Sequence, residues 1–294
     1  MHDDDLYFPN TLIEAVLRDT GAGWAGLPIR PVPSTGTDNH LFRIGDCHVL
    51  RLPRRASAVP LLVKELDWLP RLQGLPLAVP RLRLRTEIDV GWPCPFGLWD
   101  WIEGNIASSS ALADPVAAAR ALAEFLRALQ SLPSQGAPMA GESNHQRGVA
   151  LTDISERTQA AIGAVADEVD VRHAHSLWER ALCERYASPG VWLHGDLKAD
   201  NLIAREGFLV GVIDWGLSAV GDPAADYAAA WSWVDPAART AFRDACAISE
   251  SDWLRAKAWA LYGAVIALSY YRGGRNEALC RQSRRTLSRL RLLS

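Results

Sequence analysis

The chain has 294 residues, 49% hydrophobic and 22% charged, which suits a globular protein with a core of ordinary size and excludes a disordered or fibrous one. Its net charge of −3 gives no sign of nucleic acid or an anionic membrane as a partner; no protein partner is implied either. Five widely spaced cysteines without a Cys-x-x-Cys pair exclude a disulfide framework and a cysteine zinc site, and fit a reducing, cytoplasmic setting.

Met1–Asp5 is acidic where a secretion signal is basic. Residues 10–20 place Leu12, Ile13, Val16 and Leu17 on one face of a helix. Strand-like runs follow at 29–32, 40–44 and 47–52, the first two joined by the small polar turn 34–39 and the last two by Gly45-Asp46, a hairpin signal. Pro60 sits at a first helical position, Leu61, Leu62, Leu66 and Leu69 share a face, and Pro70 ends that helix. Strands are expected at 81–86 and 95–101. Beyond Gly104 the sequence turns to alanine- and leucine-rich helices, at 112–131, 152–169 and 173–187. Short strands at 202–204 and 209–213 interrupt them before helices resume. The apolar run 258–271 is too short to cross a bilayer and reads as a buried helix. From Arg272 onward seven arginines stand against one glutamate, the pattern of a solvated basic helix face. The layout is α+β and two-lobed: a small antiparallel-sheet lobe over 1–103, a helical lobe over 104–294, and a hinge at 100–105.

The chemistry concentrates in Val191–Tyr227. An apolar run delivers His194-Gly195-Asp196 to a loop, Asn201 follows five residues after Asp196, and a hairpin turning at 205–207 delivers Asp214 in Ile213-Asp214-Trp215-Gly216. One carboxylate is thus offered to a substrate hydroxyl, and an amide and a carboxylate to a divalent metal. Mg²⁺ takes one or two carboxylates plus phosphate oxygens and water, so Asn201 and Asp214 suffice if a nucleotide completes the shell.

This arrangement resembles the catalytic loop and metal site of protein kinases. Gly195 and Trp215, where kinases carry arginine and phenylalanine, together with Gly221–Asp226, make it resemble the aminoglycoside phosphotransferase family of small-molecule kinases. Val49–Pro53, Trp101–Gly104 and Asn144–Gly148 extend the likeness along the chain. The resemblance implies a kinase-like fold and transfer of the γ-phosphate of ATP or GTP, with Mg²⁺, to a hydroxyl of a small molecule. An aminoglycoside is the leading acceptor; a macrolide, a choline- or homoserine-type metabolite, and a catalytically silent nucleotide-binding module are the alternatives. Asp196 becomes the base that orients the attacking hydroxyl, and Asn201 and Asp214 the metal ligands. Lys198 stands near the transferring phosphoryl or is an ordinary loop lysine.

In the N-terminal lobe, Arg51 occupies the place of the kinase phosphate-holding lysine. The chain has three lysines, none before Lys64, so no lysine substitutes nearby; Arg51 brings permanent charge and a bidentate fork, and Glu65 is its partner on the next helix. Ser34, Thr35 and Gly36 would cover the phosphates, and the backbone of Asp100, Trp101 and Ile102 would meet the base. His194 braces the loop, and Asp222 and Asp226 cap a helix and bond the loop backbone. For the acceptor, Asp153, Glu156, Asp167, Glu168, Asp170, Asp235, Asp244, Glu250 and Asp252 offer charge for a polycation, while Tyr227, Trp231 and Trp233 offer aromatic surface for a less polar molecule.

Overall fold

A computed structural model describes residues 6–20, 23–33 and 38–294. The chain divides into two compact units, one running to Gly74 and resuming over Ala78–Glu103, the other comprising Leu75–Leu77 and Gly104–Ser294.

In the first unit, helix α1 (Asn10–Asp19) precedes strands β1 (Ile29–Pro31), β2 (Asn39–Ile44) and β3 (His48–Pro53). Helix α2 (Val59–Trp68) and strands β4 (Leu82–Asp89) and β5 (Pro93–Asp100) complete it. Among the described residues these strands form one antiparallel sheet in the order β1-β2-β3-β5-β4. β4 alternates between a covered and an open face, whereas β5 is buried along most of its length, as befits an inner strand with a helix on it. Ile13, Leu17, Phe42, Ile44, Leu50, Leu52, Phe96 and Leu98 form the core. Pro60 lies in the first turn of α2, and Pro70 falls in the single tight turn that follows it.

In the second unit the chain runs through β6 (Asn105–Ile106), α3 (Pro115–Gln130), α4 (Ser155–Ala164), α5 (Val171–Leu182) and β7 (Val191–Leu193). Then come β8 (Leu202–Arg205), β9 (Phe208–Val212), β10 (Ala219–Gly221), α6 (Ala224–Tyr227), α7 (Ala229–Ser232), α8 (Arg239–Cys246), α9 (Glu250–Tyr271) and α10 (Glu277–Leu290). The expected helix over 152–169 is shorter: a tight turn at Leu151–Ile154 leads into α4, and the chain leaves helix at Val165. α9, buried on most sides, is the apolar run of the sequence; among the described residues no helix is long and apolar enough to cross a membrane. Two small sheets, β10-β7 and β6-β8-β9, carry the functional loops. Their strands are two to five residues long, and Trp192 of β7, like Phe125 and Trp215, is fully buried.

Candidate active site

In the first unit the charged pair is built on two regular elements. Arg51 lies opposite Gly97 in the sheet, and α2 crosses at that point. A side chain at Gly97 would come within 2.8 Å of Leu66 and closer still to Trp99, so glycine permits the close approach. Arg51 Nη1 then donates to Glu65 Oε1 at 2.6 Å, both side chains being buried. Lys64, beside Glu65, is also buried; desolvation lowers its pKa to about 8, against the attraction of Glu65.

The connection leaving β5 is engaged. Arg83 grips Asp100 bidentately at 2.6 and 2.7 Å. The Trp101 N–H donates to the Cys47 carbonyl at 2.8 Å, so that group is not the one that meets a base. The Arg43 guanidinium lies 4.1 Å from the centre of the Trp101 ring, and Ile102 is half-buried. Ser34, Thr35 and Gly36 lie outside the described residues.

In the second unit β7, paired with β10, leads into His194-Gly195-Asp196. Gly195 has φ +83°, and a Cβ there would stand 2.4 Å from the Leu217 carbonyl oxygen, so only glycine fits. The loop hangs on one buried carboxylate: Asp226 Oδ2 accepts the His194 N–H at 2.7 Å and Oδ1 accepts the Gly195 N–H at 2.8 Å. Burial pushes the Asp226 carboxyl above its ordinary value. His194 is fully buried; its Nδ1 accepts the Asp196 N–H at 3.2 Å, so Nε2 carries the proton and donates to the Ile213 carbonyl at 3.0 Å. Its ring meets Trp215 edge-on at 4.8 Å. One imidazole therefore ties the Asp196 loop to the Asp214 loop. Asp222 differs from expectation: it caps the backbone at Ala224 but holds Arg255, not the catalytic-loop backbone, in a buried bidentate pair at 2.8 and 3.2 Å.

Asp196 Oδ2 accepts from Lys198 Nζ at 2.7 Å and from Asn201 Nδ2 at 3.0 Å. Burial opposes the charge on Asp196, but Lys198 and Arg147 outweigh it and hold the carboxyl at about 2. Lys198 is correspondingly held protonated: burial works against its charge, and Asp196 more than compensates. Arg147 had no role in the sequence reading. It sits in a segment set by Asn144, whose buried amide donates to the Arg147 carbonyl at 2.7 Å, and its guanidinium lies over the Tyr262 ring.

Asn201 Nδ2 also donates to the Asp196 backbone oxygen at 2.8 Å. With the nitrogen so committed, Oδ1 is the atom the amide offers to a cation. Asp214 follows Ile213, whose N–H donates to the Asn201 carbonyl at 2.9 Å, and has φ +68°, an uncommon conformation for a non-glycine residue. Among the described residues no cluster of three or more His, Cys, Asp or Glu side chains is arranged to hold a metal. One amide oxygen and one carboxylate fit Mg²⁺ that keeps phosphate oxygens and water in its shell.

The groups expected to receive an acceptor are largely spent on the fold. Asp167 pairs with Arg272, Glu168 with Arg284, Glu250 with Arg243, and Asp252 with Arg255. Asp170 and Asp235 cap helical turns. Only Asp153, Glu156 and Asp244 of that set are exposed without an ion-pair partner among the described residues. The aromatic residues are interior too: Tyr227 and Trp231 are buried, and Trp233 donates to the Ala107 carbonyl at 2.7 Å.

A small antiparallel sheet with two helices, and a helical unit carrying a base-like aspartate, an asparagine and a second aspartate on adjoining loops, define the kinase-like phosphotransferase class. The model of the phosphotransferase enzyme family matches residues 29–259, and the chain belongs to that family. Aminoglycoside 3'-phosphotransferases of Escherichia coli and Salmonella typhimurium are each 33% identical over 116 residues, 38% of this chain; the match spans 41% of the relatives' length. In fold, the GDP and kanamycin complex of APH(2")-IIia is similar with a TM-score of 0.73 at 18% identity, covering 96% of this chain and 97% of that one. Macrolide 2'-phosphotransferase type I is similar with a TM-score of 0.62 at 20% identity, covering 94% of each.

Proposed function

We propose that the protein transfers the terminal phosphoryl group of ATP or GTP to a hydroxyl of a small molecule, an aminoglycoside being the acceptor class that the named relatives support. The observation that carries the reading is the Asp196–Lys198–Asn201 cluster, in which a carboxylate, a cation and a metal-competent amide share one hydrogen-bond network.

Among the described residues both side-chain bonds to Asp196 fall on Oδ2, so Oδ1 is the oxygen for the acceptor hydroxyl. A carboxyl held at about 2 is ionised at any working pH and is a weak proton acceptor. Its first task is therefore to orient the hydroxyl. It takes the proton late, when bonding to phosphorus has made the hydroxyl acidic, as a loose transition state requires. Lys198 faces the charge that develops on the transferring group. Asn201 and Asp214 would hold Mg²⁺, which when bound neutralises phosphate charge. Arg51, held by Glu65, would bind triphosphate oxygens bidentately.

Turnover of ATP and GTP over a panel of aminoglycosides, macrolides and amino alcohols tests the reading. Acceptor-dependent release of nucleoside diphosphate supports it, and none with any acceptor overturns it. Calorimetric titration of Mg-nucleotide tests the metal assignment: Asp214→Ala should abolish Mg²⁺-dependent binding, and Asn201→Ala should weaken it less, because an amide brings a dipole and no charge. Wild-type affinity in Asp214→Ala would exclude the assignment.

A further inference from the structure

A second group of cations in the helical unit is not used by this chemistry. α7 is a single turn whose last carbonyls have no helical partner. Arg239, the first residue of α8, donates from Nε to the Ala230 carbonyl at 2.9 Å, and Arg289, near the end of α10, donates from Nη1 to the Trp231 carbonyl at 3.1 Å. Two guanidinium groups are thus anchored on consecutive residues, with Arg239 also 5.4 Å from the centre of the Trp231 ring. Arg285 lies one turn before Arg289 on α10 and is exposed.

Four other arginines of this unit have carboxylates: Arg243 pairs with Glu250, Arg255 with Asp222, Arg272 with Asp167 and Arg284 with Glu168. Among the described residues Arg239, Arg285 and Arg289 have none within ion-pair distance. Asp235, the acidic group that acts on both Arg239 and Arg289, has Oδ1 committed to the Ala237 N–H. Capping α7 explains one nitrogen of each guanidinium. It does not explain Arg239 Nη2, which is shielded from solvent and makes no hydrogen bond. Nor does it explain permanent like charges gathered where a neutral amide would cap as well. Burial, and then the neighbouring Arg289, lower the pKa of Arg239; burial, and then Arg285, lower that of Arg289.

We propose that Arg239 and Arg289, with Arg285 at the rim, form a binding site for a phosphate-type oxyanion. A tetrahedral anion has enough oxygens to take donors from two guanidinium groups approaching from different helices, and a dianion balances their charge. Its occupancy would be felt at the catalytic loop. Ser232, the residue after Trp231, donates from Oγ to the Leu197 carbonyl at 3.3 Å, and Leu197 follows Asp196.

Calorimetric titration of the full chain with inorganic phosphate and, separately, with glycerol 3-phosphate tests the site. Saturable binding by either probe is expected, and the tighter of the two identifies free phosphate or a phosphate monoester as the source. Arg239→Gln and Arg289→Gln should each weaken binding by about tenfold or more and Arg285→Gln by about threefold. Arg289→Lys should retain most of it, and Arg157→Gln, at an exposed arginine of α4, should change nothing. If Arg239→Gln fails to fold, Arg289→Gln and Arg285→Gln carry the same test, since Arg285 is exposed. Absence of saturable binding at millimolar probe, or binding left intact in both Arg289→Gln and Arg285→Gln, would overturn the proposal and leave the arginines as caps of α7.

Discussion

The two units hold their charged groups by different means. In the first, Arg51 projects from a strand and Glu65 from a helix, and the two meet directly at 2.6 Å; regular structure aims them at each other. In the second, Asp196 and Asp214 lie on loops, and their positions come from buried groups that do no chemistry: Asp226 holding two amides, and His194 joining the loops. A charge on a rigid element needs a partner, whereas a charge on a loop needs a scaffold. Damage to the first should therefore appear mainly as lost stability and damage to the second mainly as lost activity.

The sharpest test of that contrast is Asp196→Asn, which should lower kcat by about 10²–10⁴-fold while leaving nucleotide affinity, measured by calorimetry, largely unchanged. Near-normal kcat would remove Asp196 from the reaction. On the other side, Arg51→Ala removes the guanidinium hydrogen-bonded to buried Glu65, so urea unfolding should show a loss of about 3–5 kcal/mol. The double change Arg51→Met with Glu65→Leu should cost less than the single one; additive losses would mean the pair does not act as a unit. Asp226→Asn exchanges one acceptor oxygen for an amide facing a backbone N–H, and should cost about 2 kcal/mol together with a fall in kcat, although Asp226 touches no reactant. Intact kcat in that variant would break the contrast. The smallest effect concerns Lys64, whose folded pKa of about 8 lies below the unfolded value. Between these two values the unfolded chain holds the extra proton, so stability should rise with pH, by about 2 kcal/mol between pH 8 and 9.5. Lys64→Met should remove that slope in urea titrations at the two pH values.

The strands of the first unit and the catalytic loop were legible for separate reasons. Alternation in β2 and β4, and proline and glycine at the turns, mark the strands locally. The His194–Asp196, Asn201 and Asp214 spacing is fixed by chemistry that tolerates few alternatives. β6, β7 and β10 were not legible as strands, because two or three residues carry no period and their pairing is decided by distant contacts. The acidic residues offered to an acceptor misled for a related reason: a carboxylate looks free in a sequence until the arginine that claims it, such as Arg272 for Asp167 or Arg284 for Glu168, is brought over by the fold. Arg147 belongs to a recognisable motif, but its electrostatic hold on Asp196 is invisible in the sequence, since it depends on a turn in which His145 and Gln146 both have positive φ.

The neutral ring of His194 has a spectroscopic consequence. Its Nδ1 is a pyridine-type acceptor facing the Asp196 amide and its Nε2 a pyrrole-type donor to the Ile213 carbonyl, so the two nitrogens should give well-separated ¹⁵N resonances in a labelled sample. Each signal reads the spacing of one loop. Movement of the base loop alone would perturb Nδ1, movement of the metal loop alone would perturb Nε2, and a concerted shift would move both, which makes a single buried imidazole a two-channel gauge of events at residues 196 and 214.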